Sequence, residues 1–264
     1  MTRPSRETFE YRRSSAGHLA QENDGAVHSP HHGECTAPLV ARRLQRKLRS
    51  DWEVLLYSRE NHFVFTPLLP EVVGAAINPL HVVWPVREMA PGAICRTVEV
   101  KSLDFDNQEI EYLGPEDQPL RQKYDHLILG CGLDVNLDLV PGLREYGWAI
   151  KTLGDAIELR NHVIQQLERA EAEPDDDKRA EFLSFAVVGG GFTGVEVAGS
   201  IRDMLSESAR FYKRFRLEDI QVVILEAGPR VLGPLPESLS AYAQRKLEAS
   251  GVTIHTGVSV SEIK

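Results

Sequence analysis

The stretch from Phe185 to Ile254 constrains the fold more than any other part of the chain. Phe185-Ala186-Val187-Val188 is β-rich and runs straight into Gly189-Gly190-Gly191-Phe192-Thr193-Gly194, a G-x-G-x-x-G turn. Val195 to Leu205 then has helical character. Ile220 to Leu225 is a second apolar strand ending at Glu226, Ser238 to Ala249 a second helix, and Val252 to Ile254 a third strand. Strand, glycine turn, helix, strand, acid, helix, strand is the βαβαβ order of a dinucleotide-binding half, with a parallel sheet covered by helices.

Each motif residue has a physical task in such a turn. Gly189 permits the tight bend, Gly191 lets a pyrophosphate approach the backbone, and Gly194 lets helix and strand pack closely. The helix N-terminus offers free N–H groups and partial positive charge to phosphate. Glu226 is placed to accept from both ribose hydroxyls of an adenosine, and its charge repels a 2′-phosphate, so the pattern favours NADH over NADPH. Its distance from Gly194 exceeds the usual spacing of about 20 residues; Ser206 to Asp219 is expected to supply a loop or helix extension. Glu196 follows the turn. Spacing alone leaves two readings open: an acid complementing the helix dipole, or a side chain facing an active site.

Upstream, apolar residues at 40, 44 and 48 form a helical stripe with a basic outer face, and Glu53 to Tyr57 is a short buried strand. Asn61 to Met89 is apolar, with Pro67, Pro70, Pro79 and Pro85 as breakers. Alternating stretches at 96–100, 103–105 and 109–112 predict a small antiparallel meander. His126 to Leu129 is a second buried strand, ending at Gly130-Cys131-Gly132. Thr152 and Asp155 form a capping box for a helix reaching Ala172, and the acidic run 173–177 is a solvated linker. Residues 1–38 carry no strand or helix period and are expected to be a disordered tail. His28, His31, His32 and Cys35 lie there; a chance cluster of polar residues accounts for them, and no metal is expected.

Composition removes several function classes. The 264 residues carry 30 Lys+Arg against 39 Asp+Glu, a net charge of −9, which argues against a nucleic-acid partner. The three cysteines, Cys35, Cys95 and Cys131, form no CxxC, so a redox dithiol or a structural zinc site is not expected. No run approaches a membrane span of about 20 apolar residues, and no secretory leader is visible; the default location is the cytoplasm.

Three stretches together resemble the type II NADH dehydrogenases: Asn61 to Val72 with its Thr66-Pro67-Leu68-Leu69-Pro70-Glu71, Gly189 to Glu196, and Leu225 to Leu232. The resemblance covers roughly Val40 to Lys264. It implies two Rossmann-like dinucleotide-binding domains, both incomplete, with residues 39–150 a partial FAD-binding domain and 151–264 a partial NADH-binding domain. It implies hydride transfer from NADH to FAD and electron transfer on to a quinone. Thr66, Pro67 and Leu68 then resemble the segment against the flavin, and Cys131-Gly132 the turn where the chain returns to the FAD pyrophosphate. Cys131 is a neighbour of flavin there, not a redox thiol. Glu196 resembles the acid near the nicotinamide–flavin junction, which turns its reading towards function. Peripheral association with the inner face of the plasma membrane and a homodimer are further implications from full-length relatives.

Two departures accompany the resemblance. Where a first strand and glycine turn for FAD are expected, Ser29 to Leu39 has one glycine and two prolines, and Ser58 stands where an acid commonly meets the FAD ribose. The chain also stops inside the NADH domain, before the quinone site. The expectation is therefore a truncated or impaired oxidoreductase, with two alternatives: a non-catalytic NADH-binding remnant or module, and another FAD/NAD-dependent reductase such as a ferredoxin reductase or a sulfide:quinone oxidoreductase. The last relies on redox cysteines, which the three scattered ones do not suit.

Overall fold

The computed structural model describes residues 33–132 and 135–264. The first element is helix α1, Gly33–Lys47. It starts seven residues before the apolar stripe and runs through Pro38. A proline this near a helix start forfeits one backbone bond, to Glu34, and the later turns carry the helix. Residues 33–38, expected in the tail, are thus helical. The rest of the tail, with His28, His31 and His32, lies outside the described residues.

Strand β1 (Leu55–Ser58) and the short strand β2 (His62–Val64) follow. The proline-rich stretch is more structured than its breakers suggest. A 3-10 turn spans Thr66–Leu68, helix α2 Leu69–Val73, and a second 3-10 turn Pro79–Val82. Pro67, Pro70 and Pro79 each stand at the first or second helical position, where the missing N–H would be unpaired anyway and the fixed φ suits a helix. They start helices instead of ending strands. Strand β3 (Val83–Pro85) pairs antiparallel with β2 and leads into the short helix α3 (Val86–Met89).

Strand β4 (Ile94–Thr97) corrects the meander. It pairs parallel with β1, Leu55 opposite Ile94 and Ser58 opposite Thr97. The antiparallel sheet consists instead of β5 (Val100–Asp104), β6 (Glu109–Leu113) and β7 (Pro119–Lys123). Strand β7 is polar apart from Pro119 and Leu120, the latter facing Tyr112, so hydropathy does not reveal it. The strand expected at His126–Leu129 does not form. Ile128 and Leu129 are 57% and 58% exposed, and among the described residues no strand pairs with this stretch. An apolar run of this kind needs hydrogen-bonded neighbours to become a buried parallel strand.

After the short helix α4 (Leu143–Tyr146) comes helix α5, Leu153–Ala172. Thr152 Oγ1 accepts from the Asp155 N–H at 3.2 Å, and Asp155 Oδ2 accepts from the Thr152 N–H at 2.7 Å, so the capping box is complete. The acidic run is not only linker: Asp175 caps the short helix α6 (Asp176–Phe182) by accepting from the N–H groups of Asp177 and Lys178. Strand β8 (Ser184–Val188), helix α7 (Phe192–Ser208), strand β9 (Gln221–Glu226), helix α8 (Glu237–Ser250) and strand β10 (Val252–Thr256) form the βαβαβ unit in the expected order. The sheet is parallel, in the order β10-β9-β8. The extension before β9 is the end of α7 and two 3-10 turns, Ala209–Phe211 and Leu217–Asp219.

The larger core crosses the domain boundary expected near residue 150. Leu69, Val72, Val73 and Val82 are buried in one cluster with Val163, Leu167, Leu205 and Ile224. Helix α2 lies so close to α7 that a Cβ on Gly74 would stand 2.7 Å from the Ser200 carbonyl oxygen. A smaller core gathers Ala41, Leu56, Phe63, Val86 and Ala90 between α1, β1 and α3.

Candidate functional site

The site begins where β8 ends. Gly189 has φ of 103°, a left-handed conformation that a side chain makes costly, and its N–H donates to the Leu225 carbonyl at 2.8 Å. The chain then turns sharply into α7. A Cβ on Gly194 would lie 2.0 Å from the Gly189 carbonyl oxygen, so the helix can pack against the turn only with glycine there. Gly191 caps α7, and a Cβ on it would meet open space. Nothing among the described residues demands glycine at 191; a ligand approaching the backbone would. Phe192 and Thr193 open the helix, the phenyl ring 39% exposed.

Glu226, the last residue of β9, reaches across the turn. Its Oε2 accepts from the Gly190 N–H and its Oε1 from the Gly228 N–H, both at 2.5 Å. Gly190, Gly191, Glu226, Gly228 and Arg230 line a cleft of about 350 Å³. The cleft thus brings the glycine turn and the acid together as the sequence predicts. Arg230 was not anticipated. Its guanidinium donates to the carbonyls of Gly233 and Leu235 at 2.8 and 3.3 Å, while its Nε is buried without a partner. A basic residue four positions past the strand-ending acid is the signal that could have flagged it.

Glu196 is the fifth residue of α7, beyond the first turn. The dipole reading weakens accordingly, since that effect falls off within one turn. Glu196 is exposed, yet its carboxyl is pushed above the usual carboxylate range, first by desolvation and then by the negative charge of Glu71. Glu71 sits in the first turn of α2 with one oxygen, Oε2, buried and unpartnered. The sequence motif contains Glu71, but only the packing of α2 on α7 brings its charge to bear on Glu196.

Thr66, Pro67 and Leu68 form the 3-10 turn that feeds α2, with Leu68 packed on the larger core. Cys131 and Gly132 lie in irregular chain; Cys131 is exposed and Gly132 has φ of 68°. Among the described residues, no group of His, Cys, Asp and Glu is arranged to hold a metal ion, and no helix is long and apolar enough to cross a membrane.

Comparison with known proteins gives a consistent result. The family model described as pyridine nucleotide-disulphide oxidoreductase matches residues 37–264. The chain is 31% identical over 220 residues to the external alternative NAD(P)H-ubiquinone oxidoreductase B4 of Arabidopsis thaliana mitochondria, across 80% of this chain and 38% of that protein. It is 30% identical over 232 residues to the type II NADH:quinone oxidoreductase of Mycobacterium tuberculosis, across 85% of this chain and 48% of that one. The chain therefore spans less than half the length of these relatives. Among solved structures, NDH2 from Plasmodium falciparum in complex with NADH superposes with a TM-score of 0.78 at 22% identity, covering 88% of this chain and 47% of that one. The family match and the likeness together support the Rossmann-like fold of the FAD/NAD-binding oxidoreductases.

Proposed function

The chain belongs to the pyridine nucleotide-disulphide oxidoreductase family, and on that premise we propose that it binds NADH at the β8–α7 turn, as part of an oxidoreductase that sends electrons from NADH through FAD to a quinone. The observation that carries this reading is the open cleft bounded by the Gly189–Gly194 turn and Glu226. Gly191 and the start of α7 offer unpaired N–H groups to a pyrophosphate. Glu226, held by two backbone donors, keeps lone pairs for ribose hydroxyls and sets a negative charge where a 2′-phosphate would have to lie. Residues 151–264 are the NADH-binding part in this reading, and 39–150 the FAD-binding part.

The residues fit FAD less well than NADH. Thr66, Pro67 and Leu68 resemble its ring side and Cys131-Gly132 its pyrophosphate return, but Ser29 to Leu39 holds one glycine and α1 begins at Gly33. The close backbone approach of a dinucleotide pyrophosphate calls for a glycine-rich turn, and that stretch of sequence carries the single Gly33. The quinone, peripheral membrane association and a homodimer belong to the proposal by kinship with the relatives named above.

Fluorescence titration with NADH tests the binding part. Saturable binding that Gly191→Ala abolishes is expected; no binding by the parent chain would overturn it. Reduction of a quinone or dye by NADH with added FAD tests the catalytic part. Binding without reduction selects the second reading, a non-catalytic nucleotide-binding module, which the single glycine of that stretch favours.

A further inference from the structure

The loop between β9 and α8, residues 227–236, folds back on the glycine turn. It meets the turn at Gly190, where a Cβ would stand 2.8 Å from Val231 Cγ1. The Leu232 N–H donates to the Gly190 carbonyl at 2.7 Å. Leu232 is 7% exposed and has φ of 51°, a left-handed conformation that costs a side chain energy and lasts only where the surroundings hold it. Part of the hold comes from α8. Ser240, near the start of that helix and 1% exposed, donates its hydroxyl to the Val231 carbonyl at 2.6 Å. The Leu232 carbonyl in turn accepts from the Leu235 N–H at 2.8 Å.

Covalent geometry links these bonds. In a planar trans peptide the C=O and N–H point in opposite directions, and no peptide among the described residues is cis. The Val231 carbonyl and the Leu232 N–H belong to one peptide group, the Gly190 carbonyl and the Gly191 N–H to another. Ser240 grips the first group by its oxygen and so turns its N–H towards Gly190. Leu232 grips the second by its oxygen and so turns the Gly191 N–H away from the loop. The Gly190 N–H is held separately by Glu226, which fixes the turn on both sides of Gly190. Hydrogen bonds in series also polarise one another, so each donor in the row strengthens the next.

We infer that Ser240 is a positioning residue for the coenzyme: acting through two peptide groups, it aims the Gly191 N–H at the pyrophosphate. The inference rests on the reading that the β8–α7 turn carries NADH. It adds a residue outside the glycine motif, buried in α8, whose hydroxyl bonds the loop and not the turn.

Ser240→Ala removes the hydroxyl, and two measurements follow it. One is the amide proton resonance of Gly191 in the isotope-labelled, ligand-free chain; the other is NADH affinity by fluorescence titration. The resonance should move to higher field, as a less polarised donor does. The affinity should fall roughly threefold to tenfold, the loss of about one hydrogen bond. Ser240→Thr, which keeps the hydroxyl, should return both towards the parent. A hydroxyl that serves stability alone would lower the melting temperature and leave both readouts in place, and that result overturns the proposal. So does a moved resonance with unchanged affinity, or a threonine variant that behaves like alanine. If Ser240→Ala does not fold, an ester in place of the Leu232 amide, which deletes the N–H alone, is read in the same way. A parent chain that binds no NADH overturns the coenzyme reading and the aim at pyrophosphate with it; the Gly191 resonance, which needs no ligand, still decides the link from Ser240.

Discussion

Glu226 Oε2 accepts the Gly190 N–H at 2.5 Å, across 36 residues of sequence. That bond ties the tip of β9 to the middle of the glycine turn, and the second bond to Gly228 fixes the carboxylate's plane. The acid serves the protein's own loop as well as any ribose.

Substitution at Glu226 therefore should have two effects. Glu226→Ala is expected to weaken NADH binding on the order of tenfold or more, the loss of a charge-assisted hydrogen bond, and to lower the melting temperature because two loop N–H groups lose their acceptor. Glu226→Gln should narrow the gap between NADH and NADPH affinities. Titration with both coenzymes checks this; an unaltered NADH affinity in Glu226→Ala would refute the assignment.

Two glycines in one motif should fail in different ways. Gly194→Ala forces a methyl against the Gly189 carbonyl oxygen and should cost about 3 kcal/mol of stability. Gly191→Ala meets nothing in the protein and should melt like the parent while losing NADH. Calorimetry with and without NADH separates the outcomes.

His162 should make the fold acid-sensitive. Burial on α5 lowers its pKa below the usual 6.5, so the folded state favours the neutral ring that packs at a tilt against Trp148, ring centroids 4.8 Å apart. A group depressed in this way contributes stability that is intact above the unfolded pKa and lost as pH falls through the lower folded one. Denaturant melts at pH 7 and pH 5 should show a smaller loss in His162→Gln than in the parent. Glu196, shifted upward, works in the opposite direction, and comparing the variant with its parent cancels it.

Flavin content tests the FAD side. Purified chain should carry well below one flavin per protein, because Ser29 to Leu39 carries a single glycine. A yellow protein with one bound flavin per chain would show that the other residues suffice.

The part of the molecule legible in sequence is the part held by local chemistry. The Gly189–Gly194 turn, the Thr152–Asp155 box and the acid ending β9 were all visible, because each is specified by a few neighbouring residues. Elements fixed by distant partners were not. Strand β4 looked like part of a meander, since alternation cannot say whether a partner runs parallel. Strand β7 is nearly all polar, and 126–129 looked like a buried strand although no neighbour pairs with it. Within the site, Glu71 is in view as a letter in a motif, but the reach of its charge to Glu196 depends on how α2 and α7 pack. Arg230 was equally hidden.

The shared core has a thermodynamic corollary. Leu69, Val72, Val73 and Val82 come from one side of the chain and Val163, Leu167, Leu205 and Ile224 from the other, yet they form a single cluster. The segment resembling the flavin contact and the turn that would hold NADH therefore belong to one cooperative unit, which opens and closes as a whole. An apolar side chain removed from either side of that cluster therefore loosens the packing of both segments at once.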